Sequence, residues 1–223
     1  MAIDVYWGSG SPHSWRVLLA LEHKGLVYDS HLLHLGMQEH KAPHMLALNP
    51  RGRVPVLKDN DYVVFESLAV LYYLDRKYPA KPLFGDSAEE GAVIMRVCCE
   101  YQAYIEPYLT RITRALLNRQ GDPYSDESTY AMHMIAGEAR TIEARLSKGP
   151  WIVGEQPGAA DYMIYPGIKL LLRALALPEA RELSSRFLPV EANYPALGRW
   201  LQRVESLPGY QRTFPPHWRS ADS

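Results

Sequence analysis

The hydrophobic period of this chain changes near residue 80, and that change constrains the fold more than any other feature. Before it, short β-branched and aromatic runs alternate with helical stripes; after it, nearly every apolar stripe repeats at helical spacing. A chain patterned this way folds as an α/β unit followed by an all-helical one. Its 223 residues suffice for two small domains. The expected division is an α/β domain over 1–79, a Pro- and Gly-containing linker over 80–87 and a helical domain over 88–223.

Ile3 to Trp7 is a strand pattern that stops at Gly8-Ser9-Gly10. A helix follows Ser11-Pro12, turns Val17, Leu18 and Leu21 inward and stops at Gly25. Tyr28 to Leu33 reads as a second strand and Lys41 to Leu48 as a short helix. Val54 to Leu57 and Tyr62 to Phe65 flank Asp59-Asn60-Asp61, which has hairpin chemistry. Ser67 to Tyr78 is a helix with Leu68, Leu71, Tyr72 and Leu74 on one face. The order βαβ-α-ββα makes a small mixed sheet. In the second part, Ala88 to Arg119 is a long helix broken at Pro107. Thr129 to Leu146, Asp161 to Leu175 and Tyr194 to Val204 are further helices, and the tail from Thr213 reads as irregular.

Charge and composition exclude several functions. With 24 Lys+Arg against 25 Asp+Glu the net charge is −1, so there is no basic field for nucleic acid. No apolar run reaches the roughly 18 residues of a membrane-spanning helix. Met1-Ala2-Ile3-Asp4 lacks the charged and apolar regions of a secretory signal. Cys98 and Cys99 are adjacent and cannot staple the fold. The expectation is a cytoplasmic protein of a reducing compartment, acting on neither membrane nor nucleic acid.

Four places can carry chemistry. Ser11-Pro12 is the N-cap and N1 pair of a helix, and the same geometry presents free N–H groups and a positive dipole end to an anion. Ser9, Ser14 and Tyr6 compete with Ser11 as the donor there. In Asn49-Pro50-Arg51-Gly52-Arg53-Val54-Pro55-Val56-Leu57, a proline heads an apolar strand; either a cis Val54-Pro55 bond or an edge strand accounts for it. Glu66-Ser67 stands where a strand meets a helix, as a cap or as an ammonium and carboxylate site. His40-Lys41 approaches the second helix. His31, His34, His40 and His44 form a loose cluster without ligand spacing, so no metal is expected.

Taken in order, Ser-Pro-x-x-x-Arg-Val, His40-Lys41, Asn-Pro-Arg-Gly-Arg-Val-Pro-Val-Leu and Phe-Glu-Ser resemble the glutathione transferase family over the whole chain. Gly158-Ala159-Ala160-Asp161-x4-Pro166 resembles that family's helix-capping motif, with Gly158 where Ser or Thr is more usual. The His-Lys, Val-Pro and Glu-Ser spacing is most similar to the plant phi type and its bacterial relatives; Ser-Trp-Arg-Val is zeta-like.

The resemblance implies a thioredoxin-like N-terminal domain, an all-helical C-terminal domain and a homodimer. It also implies a detoxifying enzyme with glutathione as co-substrate. It assigns Ser11 to the thiol, Glu66 and Ser67 to the γ-glutamyl end, and Val54-Pro55 to the cysteinyl backbone. His40, Lys41 and Arg53 fall to the glycyl carboxylate. A small electrophile would meet His13, Leu35 and a stripe of Tyr101, Tyr104 and Tyr108, whose spacing of three and four shares a helix face unless the stripe packs an interface. A glutathione-dependent isomerase or dehalogenase, or a non-catalytic binding module, would use the same scaffold.

Overall fold

A computed structural model describes residues 3–185 and 187–219, so Met1 and Ala2 of the leader reading lie outside the described residues. Residues up to 84 together with those from 207 onward form one compact unit, and 85–206 form another. The segment from 207 therefore groups with the sheet and not with the helices that precede it in sequence.

The first unit is built on a four-stranded sheet of order β2-β1-β3-β4: β1 (Ile3–Gly8), β2 (Asp29–Leu33), β3 (Val56–Asp59) and β4 (Tyr62–Phe65). β1 runs parallel to β2 and antiparallel to β3, and β3 and β4 form the hairpin. α1 (Pro12–Lys24) is the crossover between the parallel strands; α2 (Pro43–Leu48) and α3 (Ser67–Lys77) complete the thioredoxin-like arrangement. Val5, Val17, Leu18, Leu21, Val56, Leu57, Val70, Leu71 and Leu74 are buried as its core.

Three details differ from the sequence reading. β3 starts at Val56, because Val54-Pro55 belongs to the turn before it. The second helix starts at Pro43, after a separate 3-10 turn over Glu39–Lys41. Tyr72 lies 51% exposed on α3, and Val70 takes the inward place. The beginning of the expected linker is tied down: buried Lys24 donates to the carbonyls of Ala80 (3.0 Å) and Lys81 (2.9 Å), and Phe84 is buried with its ring edge-on to Tyr72.

The tail is not irregular. α11 (Tyr210–Thr213) and α12 (Pro216–Arg219) are single helical turns laid along α1. Trp15 is the reason: its indole N–H donates to Thr213 Oγ1 at 2.8 Å, and its ring meets Phe214 and Trp218 edge-on. Glu22, almost buried, accepts from Arg212 through both oxygens (3.0 Å each) and from the Tyr28 hydroxyl (2.9 Å).

The second unit is helical: α4 (Ala88–Tyr104), α5 (Glu106–Leu117), α6 (Asp126–Leu146), α7 (Ala159–Leu175), α8 (Arg181–Ser184), α9 (Val190–Asn193) and α10 (Pro195–Glu205). The expected break falls at Ile105, two residues before Pro107, whose ring opposes the carbonyl four residues back. The break disperses the tyrosine stripe. Tyr101 is core, its hydroxyl oxygen filling the space a Cβ on Gly167 would take (1.9 Å). Tyr104 ends α4 exposed, and Tyr108 belongs to α5 with its ring edge-on to Tyr130.

Asp161 organises this unit. Its Oδ1 accepts from Ile152 N–H (3.1 Å) and the Trp200 indole (2.7 Å), and its Oδ2 from Gly158 N–H (2.9 Å). Gly158 has no side chain to return the bond, so the reciprocal capping box is half complete. Burial pushes the Asp161 carboxyl up to about 6, and the three donors pull the other way. Asp161→Ala leaves those donors buried and unpaired, and an unfolding free energy lower by about 3–5 kcal/mol is expected from denaturant titration.

Candidate active site

The first unit brings most of the singled-out residues onto two helix N-termini and one turn. At the start of α1, Ser11 is the N-cap in extended conformation, and its Oγ accepts from Ser14 N–H at 3.3 Å. Its N–H donates to Gly8 C=O (3.1 Å), which closes the turn after β1. With the oxygen engaged as acceptor, the hydroxyl proton of this half-buried serine can be given elsewhere.

The rivals of Ser11 are accounted for individually. Ser14 is buried and its Oγ accepts from Gly8 N–H (3.3 Å). Ser9 Oγ lies 2.6 Å from His217 Nδ1. Tyr6 stacks on His31 with ring centroids 4.6 Å apart, and burial, helped by Asp4, pushes its phenol above the usual range.

At the start of α3, Ser67 is 5% exposed and its Oγ accepts from Arg16 Nη1 at 3.1 Å. The same guanidinium nitrogen lies 2.9 Å from His13 Nδ1. Arginine only donates, so His13 Nδ1 is the acceptor and the ring carries its proton on Nε2. Arg16 itself is fully buried. This Arg16 bridge between α1 and α3 was missed in the sequence; the signal was an arginine inside an otherwise apolar helix face. Glu66 precedes Ser67 with φ +67°, ψ 112°, a backbone region that disfavours any side chain. Its carboxylate is exposed and stands 4.0 Å from Arg51, a pair too solvated to contribute much.

Between the two helices, Val54-Pro55 is cis. Val54 is half-buried, and neither its N–H nor its C=O has a backbone partner among the described residues. Asn49 stitches the preceding turn, donating to Arg53 C=O (2.9 Å) and accepting from Arg51 N–H (3.1 Å). Gly52 (φ +55°) then lies against His40 and Lys41; a Cβ there would stand 3.3 Å from Lys41 Cγ and 3.5 Å from His40 C=O. The cationic groups named from the sequence thus share one neighbourhood, with Lys41 and Arg53 exposed. His40 Nδ1 is buried with no hydrogen-bond partner among the described residues.

Leu35 packs on Gly8, where a Cβ would be 2.6 Å from its Cδ1. The other histidines have separate duties: His31 bonds Asp4 (2.7 Å) and His34 Nδ1 accepts from Met37 N–H (3.2 Å). Tyr104 and Tyr108 belong to the helical unit, described above.

A thioredoxin-like sheet that carries two helix N-termini and a backbone turn unpaired among the described residues is continued by an all-helical unit. Residues 10–77 match the glutathione S-transferase N-terminal domain and residues 136–203 the C-terminal domain. Glutathione S-transferase F9 of Arabidopsis thaliana is 34% identical across 96% of both chains. The maleylacetoacetate isomerase of Pseudomonas aeruginosa is 30% identical over 88% of this chain and 93% of its own. A glutathione S-transferase from the Antarctic clam Laternula elliptica superposes with a TM-score of 0.83 at 28% identity, covering 100% of this chain and 95% of that one. The chain belongs to the glutathione S-transferase family.

Relieving the backbone at Glu66 tests whether its conformation is held against a cost. Glu66→Gly is expected to stabilise the fold by about 1 kcal/mol, read as a higher denaturant midpoint at unchanged slope.

Proposed function

We propose that this enzyme ionises the thiol of glutathione with a hydrogen bond from Ser11 and adds the thiolate to an electrophilic carbon of a small molecule. The observation that carries the reading is the state of Ser11: its Oγ accepts from Ser14 N–H at a helix N-terminus, and its proton has no acceptor among the described residues. Glutathione has a carboxylate at each end, and the reading lays it across the first unit. Its γ-glutamyl carboxylate meets Ser67, whose oxygen Arg16 occupies so that the hydroxyl proton points away, and its ammonium meets Glu66. The cysteinyl backbone pairs with Val54 N–H and C=O in the manner of an added strand. The glycyl carboxylate meets His40, Lys41 and Arg53. His13 and Leu35 would flank the electrophile.

The energetics suffice without a general base. A free thiol has a pKa of about 8.5, and lowering it by about two units takes about 2.7 kcal/mol of preference for the thiolate. A hydrogen bond to a charged group contributes about 1.5–3 kcal/mol and a helix N-terminus about 0.3–1. A nucleophilic serine would instead need a base aimed at it, and His13 Nδ1 is turned to Arg16.

A second reading is an isomerase in which the same thiolate adds to a cis double bond and leaves after rotation. The bacterial maleylacetoacetate isomerase among the relatives favours it. Turnover of maleylacetoacetate without net consumption of glutathione, set against conjugation of an activated aryl halide, separates the two. We place the enzyme as a cytoplasmic detoxifying homodimer. Exposed Tyr62 and Tyr72 on the first unit and Tyr104 and Tyr130 on the second are surface of the kind a partner covers; sedimentation at the single-chain mass of 25.3 kDa would exclude the dimer.

Ser11→Ala is expected to raise the pKa of the bound thiol by about one to two units. A raised pKa lowers the thiolate fraction only below it, so conjugation should fall far more at about pH 6.5 than at about pH 9. Loss of the cap also costs about 1 kcal/mol of stability, which thermal unfolding measures separately. Ser67→Ala should instead weaken glutathione binding about 10- to 100-fold by calorimetry; unchanged affinity in a folded variant places the γ-glutamyl end elsewhere.

A further inference from the structure

The turn that presents Ser11 is gripped by residues two hundred positions further along the chain. Ser9 Oγ lies 2.6 Å from His217 Nδ1. The imidazole also lies against the next residue: a Cβ on Gly10 would be 2.7 Å from His217 Cε1, 3.2 Å from its Nε2 and 3.3 Å from Trp218 Nε1. Gly10 has φ +76°, so residue 10 is glycine both for its backbone and for the ring above it. Ser11 follows directly, with its N–H on Gly8 C=O.

His217 is itself held in place. Trp218 is 5% exposed and edge-on to Trp15 at 5.5 Å. Thr213 accepts from the Trp15 indole, and Arg212 is clamped on Glu22. The segment is thus fastened along α1 at three points, and it reaches the Ser9-Gly10 turn through His217.

We infer that His217 is a positioning residue of the glutathione site: through Ser9 and Gly10 it fixes the turn that sets where the Ser11 hydroxyl points. The inference rests on the reading of Ser11 as the thiol's donor. Without the imidazole, Ser9 loses its partner and Gly10, with no side chain to restrict it, is left as a hinge beside the donor. The hydrogen bond from Ser11 to the thiolate then has to be made by a turn that samples other geometries, and it weakens.

The test uses the full chain with glutathione as the probe, comparing His217→Ala, His217→Asn, Ser9→Ala and the double variant. The ultraviolet absorbance of the bound thiolate is titrated, and conjugation of an activated aryl halide is followed. His217→Ala should raise the bound thiol's pKa by about half to one unit and lower kcat/KM about three- to tenfold near neutral pH. Asparagine places a polar atom near the Nδ1 position and should restore most of both. Ser9→Ala should match His217→Ala, and the double variant should be no worse than either. Glutathione affinity below the thiol's pKa should change less than about twofold, because the carboxylate contacts remain. If the tryptophan cluster fails to close in His217→Ala, Ser9→Ala carries the same test with the tail intact. A folded His217→Ala and Ser9→Ala with unmoved titrations, beside a Ser11→Ala that does shift, overturns the positioning role and leaves Ser11 in place. Titrations unmoved in all three overturn the Ser11 reading and this inference with it.

Discussion

A single guanidinium, fully buried, sets the frame of the first unit. Taking Arg16 out of water costs several kcal/mol unless its donors are satisfied. Two of the acceptors are His13 Nδ1, on its own helix, and Ser67 Oγ, on α3. The charge is therefore tolerable only while the N-termini of α1 and α3 stay in register. The planar fork of arginine can reach both at once; a lysine of similar length would present one point of charge and leave the geometry loose. The register of these two helix ends is referenced to that one residue.

The two serines at those ends show one solution reached through different donors. Ser11 has its oxygen occupied by a backbone N–H of its own first turn; Ser67 has it occupied by a side chain from another helix. In both, an acceptor position is filled from within the protein, which leaves the hydroxyl proton to be donated elsewhere. In the first, the acceptor is filled by the helix's own first turn. The second depends on packing, and it makes Ser67 sensitive to changes in α1.

Much of this was legible in the sequence because local rules and tertiary structure agree. Val17, Leu18 and Leu21 have helical spacing and are buried; Tyr62 to Phe65 pairs across Asn60-Asp61 as a two-residue hairpin. The cis Val54-Pro55 bond is one of the two readings that a proline at the head of an apolar run left open. Where the reading failed, a distant contact decided. Tyr101, Tyr104 and Tyr108 keep their spacing, but the break at Ile105 ends the shared face and the Tyr101 hydroxyl fills the space left at Gly167. The segment after Gly209 is dense in proline and aromatic residues and has no period, so nothing local marks it as helical turns; Trp15, nearly 200 residues earlier, orders it. The link from Arg16 to Ser67 spans 51 positions; an arginine in an apolar helix face marks its donor, and nothing local marks its acceptor.

The return of residues 207–219 to the first unit has a consequence for biosynthesis. A ribosome releases the sheet and α1 early, yet the aromatic partners of Trp15 and the arginine that neutralises Glu22 come only after α4 to α10 of the second unit. Until then a tryptophan face and an acidic side chain on α1 stand open to chaperones and to other nascent chains. The thioredoxin-like half is thus the first to be made and the last to be finished, and translation itself, completing the helical half in between, determines when its surface closes.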